Sequence, residues 1–352
     1  MADAVTIGGA LALHDAGGAF ATLDAYLEDE GFWGRTGVVA DLYLGYALSA
    51  PLRRGPSPPP PEPAPLPLLH CRIRPAIAPL EQPGRFAIGH WERSWTDASY
   101  AAAIEAVREA IARGDVYQAN VVQHLSAPFD GDPAGVAAAL APLRARMPCP
   151  LRDADFAIVS ASPELFLSRR GQQIVTAPIK GTRPAGETID SPKDAAEHVM
   201  IVDLERNDLA RVCEPGSIRW PALRVERALA GVTHLESTIE GRLRPGADLA
   251  EILAATFPGG SVTGAPKIAA VDLIAALEPV GRGASMGALG VLQPNGDFDL
   301  ALTIRTFAVC EGRIHLWVGG GIVWDSEPEA EIEESWVKAR PLLAALGSPL
   351  PT

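Results

Sequence analysis

The 352-residue sequence is poor in basic residues, cysteine, aromatic side chains and long apolar runs, and each shortage removes a class of function. Lysine and arginine number 30 against 43 aspartate and glutamate, a formal net charge of -13. Nucleic acid and anionic membrane both select a basic surface, so neither is an expected partner. An anionic small molecule would need a local concentration of cations, backbone N–H groups or a metal ion. The four cysteines, Cys71, Cys149, Cys213 and Cys310, stand far apart without Cys-x-x-Cys or Cys/His spacing. That argues against a zinc framework and fits a reducing, cytoplasmic compartment. No run of about 18 apolar residues occurs, so no transmembrane helix is expected. The N-terminal MADAVTIGGALALHDAGG has no basic n-region and is interrupted by His14 and Asp15, so it does not read as a signal peptide.

What is present is 47% hydrophobic residues, enough for a large core, and proline in one concentrated block. PLRRGPSPPPPEPAPLP, from Pro51 to Pro67, reads as an extended connector outside the core. It divides a short N-terminal segment, 1–50, from a catalytic domain over 69–352. Tyr100, Ile104, Val107 and Ile111 share one helical face, with Thr96 or Asp97 as cap and Gly114 as stop. A β-type stretch follows in VYQANVVQHLSAPF, then a Pro/Ala-rich loop over 130–150. DFAIVSASPELFLSRRGQQIVTAPIKG reads as two or three strands turning at Gly171, and SPKDAAEHVMIVDLERNDLARVC as a long helix. Strands are expected over 223–243, 284–293, 298–308 and 313–323, and helices over 248–256, 264–278 and 327–345. Runs of strands interrupted by single helices indicate an α+β fold.

Three segments carry candidate chemistry. FPGGSVTGAPK (257–267) looks like a phosphate loop, but Ala265 and Pro266 separate Gly264 from Lys267, and Ile268 follows where Ser or Thr is required. It reads better as a glycine turn opening a helix, with Thr263 as N-cap and Pro266 in the first turn. N–H groups at such a start can hold a carboxylate. In APIKGTRPAG a strand-like run ends at Lys180. A lysine there is ordinarily just solvated, and it becomes a nucleophile only if its amine is neutral. From a pKa near ~10.4, that costs about 4 to 5 kcal/mol at pH 7 and calls for burial or a cationic neighbour such as Arg183. In DSEPEAEIEESWVKA (325–339), Pro328 starts a helix capped by Ser326 or Asp325. Glu331, Glu334 and Lys338 then share one face, either as a salt-bridged surface stripe or as a Mg²⁺ site with Glu197 as a further carboxylate. The run Gly319 to Gly321 just before it either lets a ligand approach backbone N–H groups closely or marks a tight packing bend.

Taken together and in order, these segments resemble the chorismate-utilizing enzyme family, which includes anthranilate, aminodeoxychorismate, isochorismate and salicylate synthases. The strings that carry the resemblance are SPELF (162–166), PIKGTRP (178–184), AEHVMIVDLERNDLARVCEPGSI (196–218), HLESTIEG (234–241), FPGGSVTGAPK, DLALTIRT (299–306) and GGGIVWDSEPEAEIEESWVKA. They run from about residue 90 to 345. The resemblance implies a large α+β domain with two antiparallel sheets packed face to face, helices outside, and a Mg²⁺-dependent chorismate site between. Within the family the pattern is most like aminodeoxychorismate synthase component I. Lys180 stands where anthranilate synthases have alanine, and Gln118 where isochorismate and salicylate synthases carry a water-activating lysine.

By the same resemblance, Lys180 is a covalent nucleophile and Glu164 a general acid. Glu197 and Glu334, with Glu331 nearby, hold Mg²⁺. Arg305, Lys338 and the backbone at Gly181, Thr182 and Gly320 answer the substrate's carboxylates. His234, Thr263 and Gln118 line the ring. Ammonia is expected from a separate glutamine amidotransferase subunit, because no glutaminase segment is recognisable. The implied product is 4-amino-4-deoxychorismate, a precursor of p-aminobenzoate and folate. Two departures stand out. There is no LLES-type motif, so no tryptophan site is expected, and Ser285 or Met286 and Val291 occupy positions where tyrosines are common in the family.

Overall fold

The computed structural model describes residues 4–7, 9–77, 82–147, 150–184, 192–229 and 232–351; Cys149 lies outside them. Its helices are α1 (Ala19–Asp29), α2 (Asp97–Arg113), α3 (Pro133–Leu140), α4 (Pro192–Ala210), α5 (Leu249–Thr256), α6 (Lys267–Leu277) and α7 (Pro328–Ala345). Helix α2 starts and stops where its sequence says it should. The Thr96 hydroxyl accepts from the Ser99 N–H in a reciprocal capping box, and Gly114 closes the helix at φ 81°. The Pro/Ala-rich stretch expected as loop instead contains α3. The Asp132 carboxylate caps it and Pro133 occupies its first turn, so a short alanine-rich run has both a start signal and high propensity.

All strand pairings are antiparallel and fall into an 11-stranded and an 8-stranded sheet. The larger sheet runs from Ala4–Ile7 and Ala10–Leu13 through Leu69–Pro75, Val38–Leu44, Ala288–Leu292, Phe298–Leu302, Leu165–Arg170 and Gln173–Ala177 to Val232–Arg242. Ile179–Pro184 and Arg219–Leu229 flank that last strand on its two sides. The smaller sheet centres on Gln118–Gly131 paired with Arg313–Ile322. One apolar cluster takes Leu42, Leu44, Leu167 and Leu302 from the first sheet and Val121, Ile158, Trp317 and Ile322 from the second. This main core joins the two sheets and takes in α2, while a second cluster packs α3 and α7 against the smaller sheet.

The N-terminal segment supplies strands to the larger sheet, and Val38–Leu44 pairs directly with Ala288–Leu292. The proline-rich stretch is not a free tether either. Ala64 and Leu66 are buried in the shared cluster, because the segment returns along the body to begin the strand Leu69–Pro75.

Two expected caps are corrected. Helix α6 begins at Lys267 with Pro266 as its cap, and the Thr263 hydroxyl instead donates back to Gly259 O at 2.9 Å. The cause is that Gly264–Ala265 pairs with Gln118–Ala119 as a short strand, which delays the helix by three residues. Helix α7 is preceded by Glu327 without a side-chain cap, while the Ser326 hydroxyl donates to Glu331 Oε1 at 2.6 Å.

Candidate active site

Glu164, Lys180, Gly181, Glu197, His234, Arg305, Gly320, Glu331, Glu334 and Lys338 all line one cavity of about 150 Å³ between the sheets. They arrive from strand ends of the larger sheet, from the strand Arg313–Ile322 of the smaller one, from α4 and from α7, which is why they are scattered in sequence.

Glu164 is buried at the start of the strand Leu165–Arg170. Its Oε1 accepts from Ser261 Oγ at 2.7 Å and from the Ile179 N–H at 3.4 Å. Burial raises its pKa to about 6, against the opposing pull of the Ser261 hydrogen bond, Lys180, the Ile179 N–H and Arg305. A carboxyl within about a unit of neutrality is suited to general acid work.

Lys180 Nζ lies 2.7 Å from Glu197 Oε1, with both side chains largely buried. Gln118 Nε2 donates to the same oxygen at 3.1 Å. That amide occupies the space a side chain at 321 would need, since a Cβ there would fall 2.0 Å from Gln118 Nε2. The third glycine of the run is thus explained by strand packing rather than by a ligand.

His234 Nδ1 stands 3.0 Å from Gly181 O, which can only accept, so Nδ1 carries the proton and Nε2 accepts from Arg305 Nη2 at 3.2 Å. Burial and the adjacent guanidinium lower its pKa to about 4, keeping the ring neutral. Arg305 is itself half-buried and adopts φ 51°, a conformation that a non-glycine residue holds only when its surroundings impose it.

On α7 the expected face forms. Lys338 Nζ pairs with Glu334 at 2.7 Å and donates to Gly319 O at 2.8 Å. A Cβ at Gly320 would lie 3.4 Å from Glu331 Oε2, Glu334 Oε1 and Lys338 Nζ alike, so the bare glycine opens a small polar cradle. Two carboxylates beside such a cradle, with room for a ligand oxygen, suit the donor chemistry of Mg²⁺. Among the described residues, however, no three acidic, histidine or cysteine side chains converge on one point. Glu331 and Glu334 come together, and Glu197 stands apart with Lys180.

The remaining expected site residues are placed differently. Thr263 is fully buried and turned onto its own loop, and Gln118 stands behind Glu197 rather than on the cavity wall. The side chain of Thr182 lies outside the described residues, although its backbone belongs to the strand Ile179–Pro184. Lys267 of the glycine loop is structural. It donates to Asp208 at 2.5 Å and to Thr256 O at 3.0 Å, which excludes a phosphate-loop role. Ser261, Asn120 and Trp317 also line the cavity and were not anticipated. Only Ser261 had a signal, as the hydroxyl at the centre of the glycine loop. Ser285 is buried against Thr303 O, and it is Met286, at φ 61°, that reaches the cavity.

Residues 63–344 match the family model described as chorismate binding enzyme. The chain belongs to that family. It is 43% identical over 283 residues to an anthranilate synthase component 1 of Thermus thermophilus, covering 75% of this chain and 60% of the relative. It is 40% identical over 281 residues to an aminodeoxychorismate synthase component 1 of Salmonella typhimurium, covering 76% and 62%. The crystal structure of anthranilate synthase component I from Streptococcus pneumoniae superposes with a TM-score of 0.77 at 27% identity, covering 87% of this chain and 80% of that one. This family member thus spans less than two thirds of the length of either curated relative. Among its described residues no helix is long and apolar enough to cross a membrane.

Proposed function

We propose that the chain aminates chorismate at ring carbon 4, as the chorismate-binding component of an aminodeoxychorismate synthase. The observation that carries this reading is Lys180, held in the cavity against Glu197, with the near-neutral Glu164 on the same wall. Chorismate's two carboxylates are met by Arg305, Lys338 and the backbone at Gly181 and Gly320. These are the local cations and N–H groups that an acidic chain needs in order to bind a dianion. Mg²⁺ would be held by Glu331 and Glu334, with Glu197 as a third candidate, and when bound would neutralise carboxylate charge.

The lysine amine attacks carbon 2 after its proton leaves for Glu197 Oε1, the acceptor within reach. The double bond shifts and the carbon 4 hydroxyl departs as water, taking its proton from Glu164. Ammonia then adds at carbon 4 and the lysine is expelled from carbon 2. The balance is chorismate plus ammonia giving 4-amino-4-deoxychorismate and water. Neutral His234, fixed by Gly181 O, keeps Arg305 turned to the substrate. Ammonia is supplied by a separate glutamine amidotransferase, consistent with the component 1 names of the relatives, and the product leads to p-aminobenzoate and folate.

Anthranilate synthase activity is the second reading, favoured by relatives of that name at similar identity. The two separate in one assay, in which purified protein with chorismate, Mg²⁺ and an ammonium salt at mildly alkaline pH is analysed for products. Aminodeoxychorismate supports the proposal, and anthranilate as main product replaces it with the second reading. Protein that binds chorismate without turnover would mark a noncatalytic binding paralogue.

A further inference from the structure

The segment Gly281-Arg282-Gly283 belongs to none of the chemistry above, yet its two glycines are bound by three distant parts of the chain. Gly281 N–H donates to Pro61 O of the proline-rich stretch at 2.8 Å, and Gly281 O accepts from Trp317 Nε1 at 3.0 Å. Gly283 N–H donates to a Glu62 carboxylate oxygen at 2.9 Å, and Gly283 O accepts from the Tyr43 hydroxyl at 3.1 Å. Gly283 is required, since it holds φ 47° and a Cβ there would fall 2.5 Å from the Trp317 ring, while a Cβ at 281 would press on the Glu62 carboxylate at 2.3 Å.

This anchored segment presents Arg282, which is 1% exposed. Its Nε and Nη2 grip the equally buried Glu278 at 2.9 and 2.7 Å, and its guanidinium lies over the Tyr46 ring at 4.4 Å. Nη2 also donates to Asn120 O at 2.6 Å and Nη1 to Val262 O at 2.8 Å. Asn120 belongs to the smaller sheet and Val262 to the glycine loop, and both line the cavity. Val262 directly follows Ser261, the hydroxyl that holds Glu164. A planar fork that reaches two carbonyls and a carboxylate at once is a property of arginine that lysine lacks.

We infer that Arg282 is a positioning residue, which adds to the Asn120 N–H bond to Thr263 O at 2.7 Å in holding the Ser261–Val262 turn against the Asn120 strand and, through Ser261, in seating Glu164. The proline-rich stretch is then the strap that holds Arg282 from behind. A buried ion pair with a purely structural role would behave differently. Replacing such a pair by neutral side chains is often harmless to stability, whereas removing one partner is not. The informative variant is therefore Arg282→Met with Glu278→Gln, which leaves no unpaired charge and keeps an acceptor for the Val122 N–H that Glu278 now serves.

The experiment compares wild type, Arg282→Met, the double variant and Arg282→Lys by thermal melting, by amide exchange over 117–124 and 258–264 without substrate, and by the pH profile of kcat. The double variant should regain much of the melting temperature lost in Arg282→Met. Exchange in both segments should stay on the order of tenfold faster than wild type. In the amination assay, kcat should fall about tenfold with KM within about threefold, since a misplaced acid costs turnover more than binding. The alkaline limb should move to higher pH as the Ser261 hydrogen bond loosens; the charges facing Glu164 are Lys180, Arg305 and Glu205. Arg282→Lys should show the same exchange and the same limb while remaining folded, which keeps the test decisive if the methionine variants unfold. Wild-type exchange in both segments, in any folded variant, overturns the inference. The kinetic arm rests on the amination proposal, but the exchange arm needs no substrate and separates failure of one from failure of the other.

Discussion

The two walls of the cavity each carry an ion pair, Lys180–Glu197 and Glu334–Lys338, and differ most in how deeply their groups are buried. On the wall formed by strand ends of the larger sheet, Glu164 and His234 are each pinned by an uncharged partner, Ser261 Oγ and Gly181 O, and burial moves both pKa values by a unit or more. On the α7 wall, Glu334 and Lys338 pair with one another, with side chains 50% and 26% exposed. A pair that open to water contributes on the order of 0.2–1 kcal/mol, so stability does not explain its place beside Gly320. We propose that the first wall holds and releases protons, and that the second exchanges its internal ion pair for an anionic ligand.

If that division is right, changes on the two walls should separate turnover from affinity. Lys180→Ala should have the largest effect, abolishing amination in the chorismate–ammonium assay while chorismate binding by calorimetry stays measurable. Glu164→Gln should lower kcat by roughly 10²–10⁴ with a small change in KM. Ser261→Ala removes the hydrogen bond that pulls the Glu164 pKa down, so Glu164 stays protonated to higher pH and the alkaline limb of kcat moves upward; an unmoved limb would take the acid role away from Glu164. Glu334→Gln, on the other wall, removes a proposed Mg²⁺ ligand, an effect expected to outweigh the freeing of Lys338, and should raise the chorismate KM about tenfold with a smaller loss of kcat. Its melting temperature should change by only a few degrees, as befits an exposed pair.

Histidine burial gives a further expectation with a definite sign. His124, His198, His234 and His315 have pKa values lowered by burial to between about 3 and about 4, below the ordinary 6.5. The unfolded chain therefore binds more protons between those values. Stability is fully present above pH 6.5 and falls as pH drops toward 4, by up to about 1.4 kcal/mol per unit for each ring. Urea melts at pH 7 and pH 5 read the sum of these rings against the opposing raised carboxyls of Glu164 and Glu205, and NMR titration of the His234 ring isolates one of them; a ring already protonated at pH 5 would contradict a neutral His234.

Much of this was legible in the residues, and what was not has physical causes. Helix α2 could be read because its cap, its apolar spacing and its terminal glycine agree. The face shared by Glu331, Glu334 and Lys338 follows from helical spacing alone. The family resemblance supplied the roles of Lys180 and Glu164, but not the partners that tune them, because Ser261 and Ile179 lie far from Glu164 in sequence. Thr263 misled because a local capping pattern was outcompeted by the strand pairing of Gly264–Ala265 with Gln118–Ala119, a long-range contact. The proline-rich segment misled similarly. Composition gives its backbone preference, and cannot show that Ala64 and Leu66 find a core or that Pro61 and Glu62 find the segment at Arg282.

The most direct test of the account is peptide-mapped mass spectrometry of the protein incubated with chorismate and Mg²⁺ in the absence of ammonia. The account predicts an adduct of chorismate less one water on Lys180, discharged when ammonium is added. Sustained amination with Lys180 unmodified throughout would contradict it.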